Sequence, residues 1–459
     1  MVIRVRFLSG AISAVLIMQL TAFGEATVKH EPTRIGAWID AGQVVKGKVD
    51  NDADVDMQVI TRSKVALIQQ ATINERLLLT GALGGLFFYS LPVDRNGPHT
   101  RLTKFTAVLE EASGKYKFGD LEKPGFETKF GLFFEKYNPD AKNLGEYLFR
   151  SGAYPGYIQT GGWYILNSAG YFLQGIQGNL HLMDGGLDVE GFLYMERDLE
   201  PTYDLTPALI ATYRGLKGFE FGAGAAFNHL IPAKPSITTP ENSYNSYITD
   251  SATGKPRLLT FAETQLPDST PVPGKQYYTF QGTKLMARAS LNLQAYLNSD
   301  ALNPEDLKIY GEIAVLGVKD YPVYYTNITK RMPLMLGMNL PTFKLVDKMV
   351  LEMEYYNSDF PNSIEEVYEK TLPIPGTIGG VSTQARQDYV DSLATRRMLR
   401  NKIKWTFWMQ KEITSGLGLT FQVASDHFRP MNFNLKPAYE PVTQTWNDWY
   451  YMFRINFGF

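Results

Sequence analysis

Charged side chains recur at every second position along segments whose alternate positions are apolar, and that placement is the first chemistry the sequence offers. Glu127 and Lys129, Asp188 and Glu190, Lys284 and Arg288, Glu312, Glu352 and Glu354, Lys402 and Lys404, and Arg454 all stand on the polar side of such a segment. Acids and bases in similar numbers could line an aqueous passage and orient polar solutes by a transverse field, or they could simply solvate and brace its wall. Glu352 and Glu354 are expected to face Lys402 and Lys404 as cross-strand pairs. The balance of signs points to no strong preference for cations or anions.

Other candidate chemistries are weaker. DNDADVD (50–56) spaces acids like a calcium loop, but its sixth position is Val55 rather than Gly and its twelfth is Thr61 rather than Glu. A solvated acidic loop is the simpler expectation. His181, His229 and His427 belong to no paired metal spacing. Asp426 and His427 beside Ser425 suggest hydrolysis, yet adjacent residues on a strand point to opposite faces and do not converge. GALGGL (81–86) and FGAGAAF (221–227) resemble phosphate loops only in glycine content, and on alternating strands small residues serve curvature and close packing. With 0 Cys there is no thiol chemistry. The expectation is no catalytic residue, no metal, no cofactor, and a protein that is not an enzyme.

What must position these charges is a set of strands. In LDVEGFLYME (187–196), Leu187, Val189, Leu193 and Met195 share one face while Asp188, Glu190 and Glu196 share the other. KLMARASLNLQA (284–295) splits in the same way. About ten residues of this pattern are what a tilted strand needs to cross a bilayer. Sixteen such segments are predicted, at 34–47, 56–70, 77–90, 101–112, 125–137, 169–182, 187–197, 206–213, 218–230, 279–297, 307–317, 331–340, 348–357, 400–412, 416–427 and 447–459. Short turn-like links such as 183–186 and 413–416 alternate with long polar ones at 138–168, 231–278, 358–399 and 428–446. A closed sheet satisfies its own backbone in hydrocarbon, and sixteen strands leave room for a lumen.

The totals agree. Across 459 residues, 27 Tyr, 27 Phe and 40 Gly favour strands, and a net charge of −2 gives no reason to expect a nucleic-acid partner. Residues 1–24, with Arg4, Arg6 and an apolar run from Phe7 to Leu20, are expected to be a secretory signal peptide. Residues 25–33 would then be a periplasmic N-terminal segment, and 34–459 the barrel. Aromatics at strand ends, including Trp38, Phe87, Trp405, Trp408, Trp449 and Tyr451, would form interface girdles where they point outwards.

The chain ends in YYMFRINFGF, where Tyr451, Phe453, Ile455, Phe457 and Phe459 alternate with polar or small residues. This strand resembles the C-terminal strand of bacterial outer-membrane β-barrel proteins of the porin type. The resemblance implies that the five residues are an assembly signal read by the barrel-assembly machinery. It implies an all-β fold, a transmembrane antiparallel β-barrel of about sixteen strands with short periplasmic turns and long extracellular loops.

On that resemblance the segment after the fifth strand folds inward as a constriction loop, with Glu146 and Arg150 near an eyelet; a loop lying over the rim is the alternative. Pore-lining residues would be Lys129, Glu190, Lys284, Arg288, Glu312, Glu352, Glu354, Lys402, Lys404 and Arg454. The expected function is an outer-membrane channel for passive diffusion of small hydrophilic solutes. Its other partners would be outer-membrane lipid, lipopolysaccharide and a possible homo-oligomer. The alternative is a non-conducting barrel that displays loops 231–278 and 358–399 for adhesion or partner docking.

Overall fold

Alternation of side chains allows a sheet to present one face outwards and one inwards, and here the sheet closes. The computed structural model describes residues 27–49, 53–88, 104–151, 158, 171–195, 203–233, 246–254, 256–258, 276–277, 281–297, 299–318, 326–358, 402–426 and 446–458. The first nine barrel strands are β1 (Arg34–Val49), β2 (Ala53–Ile73), β3 (Leu77–Phe88), β4 (Lys104–Phe118), β5 (Phe126–Glu135), β6 (Tyr171–Leu182), β7 (Leu187–Met195), β8 (Leu205–Leu216) and β9 (Phe219–Asn228). The next seven are β10 (Gly282–Asn292), β11 (Lys308–Val315), β12 (Leu334–Asn339), β13 (Lys348–Tyr355), β14 (Ile403–Thr414), β15 (Leu417–Ser425) and β16 (Trp449–Gly458). Each pairs antiparallel with the next. β16 also pairs with β1, from Gly36 opposite Gly458 to Lys46 opposite Trp449, which closes the cylinder and removes the sheet edge.

Every predicted strand is present, with ends shifted where local chemistry differs from periodicity. The acidic stretch is not a loop along its length: Asp54 and Asp56 lie on β2, in register with Lys48 and Lys46 of β1. Residues 50–52 lie outside the described residues, as does the leader at 1–24. The tenth strand, expected to run to 297, stops at Asn292, and Gln294–Leu297 forms a helical turn. Asn292 there donates its side-chain amide to the Pro304 carbonyl at 2.9 Å, satisfying that carbonyl where ladder pairing ends. The sheet also starts earlier than the expected boundary at 34, since Val28–His30 pairs with Ile73 to Ala71 of β2.

Seven links of 2 to 15 residues, from 217–218 to 293–307, lie at one end of the barrel. At the opposite end the strands are separated in sequence by 50–52, 89–103, 136–170, 196–204, 229–281, 316–333, 356–402 and 426–448, most of them longer. Within 229–281, Ser246–Thr249, Pro256–Leu258 and Gln276–Tyr277 form a separate three-stranded sheet.

The two faces of the barrel are opposite in chemistry. Each of the sixteen strands exposes at least one large apolar side chain, for instance Leu83 at 64%, Phe105 at 58%, Leu336 at 58% and Phe453 at 54%. An apolar surface that surrounds the molecule far exceeds the few hundred Å² tolerated on soluble monomers. Along β14, β15 and β16 the outer face is an aromatic ridge, with Phe407 and Phe421 rings 6.5 Å apart and Phe421 and Phe453 rings 4.6 Å apart. Tyr451, Phe453, Ile455 and Phe457 of β16 share that side, whereas Tyr450, Met452 and Arg454 are buried inside. Phe459 lies outside the described residues. Trp38 and Trp408 belong to the interior, not to an outer girdle: each falls on the inward phase of its strand, and they are 7% and 3% exposed. Among the described residues, no helix is long and apolar enough to cross a membrane.

Candidate functional site

The segment after β5 enters the barrel. Residues 137, 138, 140, 141 and 143–151 are buried, and a single helical turn, α1 (Tyr147–Arg150), lies among them. So short a helix has no stability of its own. Apolar packing holds one side of it: the Phe149 ring meets Phe192 at 5.2 Å and Tyr194 at 5.4 Å, both on β7, and Tyr137 at 5.5 Å.

The other side is held by wall charges that pair with loop backbone. The Glu312 carboxylate on β11 accepts from the Tyr137 hydroxyl at 2.5 Å, Asn138 Nδ2 at 2.9 Å, Glu146 N at 3.1 Å and Tyr147 N at 2.8 Å. The Glu352 carboxylate on β13 accepts from three successive backbone N–H groups, Lys142 at 2.5 Å and Asn143 and Leu144 at 2.9 Å. It also accepts from the Tyr310 hydroxyl at 2.7 Å. Three consecutive amides converging on one carboxylate form an anion nest, here occupied by the wall. Glu354 accepts from the Tyr147 hydroxyl at 2.9 Å.

Cations hold the carbonyls. Lys284 on β10 donates to the carbonyls of Ser151 at 2.7 Å and Leu148 at 3.3 Å, beyond the last amides of α1. Arg150 donates to the carbonyls of Gly145 at 2.8 Å and Asn143 at 3.0 Å. Carboxylates at the amide end and a cation at the carbonyl end match the direction of the peptide dipoles. Lys308 on β11 pairs with Asp140 at 2.5 Å, and Asn143 donates its side-chain amide to Asp426 at the end of β15. A segment that leaves the wall at β5 is therefore fastened to β10, β11, β13 and β15.

Two residues in the segment have left-handed backbone. Gly145 has φ +85, and a Cβ there would meet Met335 Cε at 2.8 Å and Glu312 Oε2 at 3.2 Å. Glu146 follows with φ 62, uncommon for a residue with a side chain. Its carboxyl turns back to accept from Asn138 N at 2.5 Å and Tyr137 N at 3.3 Å. Burial, and then the neighbouring Glu312 charge, push the Glu146 carboxyl well above the usual range.

A second interior cluster sits where the barrel closes. Asp40 on β1 accepts from Arg62 of β2 through Nε at 3.0 Å and Nη2 at 2.5 Å. It accepts from Arg454 of β16 through Nε at 2.5 Å and Nη2 at 2.8 Å. All three are at most 1% exposed, and Arg454 lies 4.0 Å and Arg62 5.5 Å from the Trp38 ring centroid. Next to them Lys64 of β2 pairs with Glu110 of β4 at 2.8 Å.

The remaining sequence candidates are dispersed. Arg288 pairs with Glu220 at 2.5 Å and donates to Thr212 at 3.1 Å. Lys129 lies 4.5 Å from the Phe133 ring, and Glu190 accepts from Gln177 at 3.2 Å. Register places Glu354 opposite Lys404 as expected, but Glu352 lies opposite Thr406, and its carboxylate is taken up by the loop. Lys402 is half-buried just before β14, where its carbonyl accepts from Tyr356 N at 2.8 Å. Asp426 accepts from the Tyr450 hydroxyl at 2.9 Å, and His427 lies outside the described residues. His181 pairs with Asp188 at 2.6 Å, and His229 with Asp204 at 3.2 Å. Among the described residues, no three His, Cys, Asp or Glu side chains are grouped to hold a metal.

Tyr137, Asn138, Asn143, Lys308, Tyr310, Asp40 and Arg62 are interior contacts that residue type and alternation alone do not mark. The stretch NLGEYLFR (143–150) carried a signal, since polar residues and a glycine interrupt an apolar run immediately ahead of a helical turn.

No family model matches the chain, and no curated protein does. Among solved structures it is similar to the high-pH structure of Pseudomonas putida OprB, at 11% identity and TM-score 0.50, over 94% of both chains. It is also similar to a porin of Rh. blastica carrying substitutions, at 8% identity and TM-score 0.40, over 94% of this chain and 100% of that one. At such identity the OprB likeness speaks for the fold alone, which is that of a porin-like closed barrel of sixteen strands.

Proposed function

We propose that this porin-like barrel is an outer-membrane channel through which small hydrophilic solutes diffuse passively, with residues 136–151 narrowing the passage. The observation that carries the reading is the fastening of that segment to the wall by Glu312, Glu352 and Lys284, which fixes a constriction inside the cylinder. Glu146 and Arg150 lie buried within it and hold its backbone, Glu146 through the amides of Tyr137 and Asn138 and Arg150 through the carbonyls of Asn143 and Gly145. Lys129, Glu190, Arg288, Glu354, Lys402, Lys404 and Arg454 line or brace the wall around it. Export follows from residues 1–24, and the terminal residues Tyr451, Phe453, Ile455, Phe457 and Phe459 are the assembly signal. Lipid and lipopolysaccharide contact the apolar outer face, and the barrel works without a cofactor, alone or as a homo-oligomer. The three-stranded sheet in 229–281 favours a second role, display of a surface for a partner.

Liposome swelling tests the channel reading. Vesicles containing the folded protein swell in small neutral sugars and progressively less as solute size rises; absence of swelling at every size removes the reading. The membrane setting makes its own prediction. Leu83 is 64% exposed on the outer face of β3, so Leu83→Arg costs about 2–4 kcal/mol if the residue lies near mid-membrane. Reversible denaturant titration in lipid measures that loss, and a neutral result there places β3 outside the hydrocarbon.

A further inference from the structure

Beyond the constriction itself, which rests on the channel reading, the structure places two acids on one dipeptide. We propose that Glu146 and Glu312 form a proton-operated latch: the loop is docked while Glu146 carries a proton and loosens when Glu146 ionises beside the Glu312 carboxylate. Glu146 Oε1 accepts from Asn138 N at 2.5 Å, while Glu312 Oε2 accepts from Asn138 Nδ2 at 2.9 Å. Glu146 Oε2 accepts from Tyr137 N at 3.3 Å, while Glu312 Oε1 accepts from the Tyr137 hydroxyl at 2.5 Å. The Glu146 amide itself donates to Glu312 at 3.1 Å. Both carboxyls therefore converge on Tyr137 and Asn138, and both are at most 1% exposed. Two ionised carboxylates so placed repel, and burial leaves little water to screen them.

The groups around the pair set the direction. Lys136 attracts Glu146, while Glu135 at the end of β5 and Glu312 oppose its charge. Arg288 of β10 is in register with Glu312, and its guanidinium is already paired with Glu220. Lys284 and Arg150 are directed to loop carbonyls, Lys308 to Asp140, and Glu352 and Glu354 to loop amides and a tyrosine. Lys142 and Lys348 lie on the Glu352 side. In the docked state Glu146 holds its proton more tightly than a solvated glutamate does, so docking is complete at low pH. It is lost as pH rises through the raised Glu146 value. The left-handed backbone of Glu146 adds strain that release relieves.

A thiol reporter reads the latch without relying on conduction. The chain has 0 Cys, so Ala141→Cys puts one thiol on the docked loop at a position that is 0% exposed, and Ser251→Cys supplies an exposed reference. Alkylation by a charged maleimide is followed from about pH 5 to pH 9, taking the ratio of the two rates to cancel thiolate formation. The ratio should rise by up to about tenfold for each pH unit over which Glu146 ionises. In the Glu146→Gln background it should stay flat and low. Glu312→Gln, which removes the same repulsion, should also flatten it and serves if Glu146→Gln fails to assemble. A flat ratio in the native background, or an unchanged rise in both glutamine variants, overturns the latch. A barrel that labels as predicted but passes no solute overturns the channel reading and leaves the latch standing.

Discussion

Glu352→Ala is expected to raise single-channel conductance and to increase open-channel noise. The carboxylate it removes accepts from Lys142 N, Asn143 N, Leu144 N and the Tyr310 hydroxyl. A hydrogen bond to a charged acceptor contributes about 1.5–3 kcal/mol, and an abandoned buried donor costs more than a missing pair. Losing one acceptor shared by four donors therefore weakens docking by several kcal/mol. Alanine also leaves space that the three amides cannot fill. Glu352→Gln, which keeps one carbonyl oxygen, should give an intermediate result. Lys411→Ala is the control, because that side chain is partly exposed near the end of β14 and pairs with Asp347, away from the loop. Equal conductance in all three variants would mean that residues 136–151 do not limit flow.

The second large effect concerns closure of the barrel. Asp40 is the carboxylate between Arg62 and Arg454, and it joins β2, β1 and β16 from the inside. Asp40→Ala removes the carboxylate that both buried guanidiniums share. Removing one partner of a buried ion pair typically costs about 3–5 kcal/mol. The seam between the first and last strands then opens at lower temperature, although backbone pairing from Gly36 to Lys46 remains. The measurement is the temperature at which the folded, fast-migrating species on a gel converts to the slow one. Asp40→Asn, which still accepts one hydrogen bond, should lie between. An unchanged transition in Asp40→Ala would show that the ladder alone secures the seam.

How much of this was legible in the sequence depends on which interaction fixes each part. The strands were legible because period-2 alternation is a local signal imposed by opposite environments on the two faces, as at Leu187, Val189 and Leu193 against Asp188 and Glu190. The end of β10 was less so, because Leu293 and Ala295 continue the pattern while the chain has turned into a helix. The inward direction of Glu312 and Glu352 was legible for the same reason as the strands. Their partners were not: Glu312 and Tyr137 are 175 positions apart, and Glu352 and Lys142 are 210 apart. Backbone amides, moreover, leave no mark in residue type. Expecting Glu352 to seek a lysine on the adjacent strand was reasonable chemistry. Register instead sets Glu352 opposite Thr406, and three amides of the buried loop take its carboxylate. Residue type alone left open whether Trp38 faces lipid or lumen; its inward place comes with Arg454 and Arg62 against its ring.

Planar-bilayer recording of the native protein decides whether the barrel conducts, once heat-modifiable migration has shown that the preparation is folded. Discrete, uniform conductance steps with little selectivity between cations and anions are expected, and larger steps for Glu352→Ala than for native protein. A folded barrel that inserts and gives no steps would contradict the reading of a constricted channel, and so would steps of equal size in the two proteins.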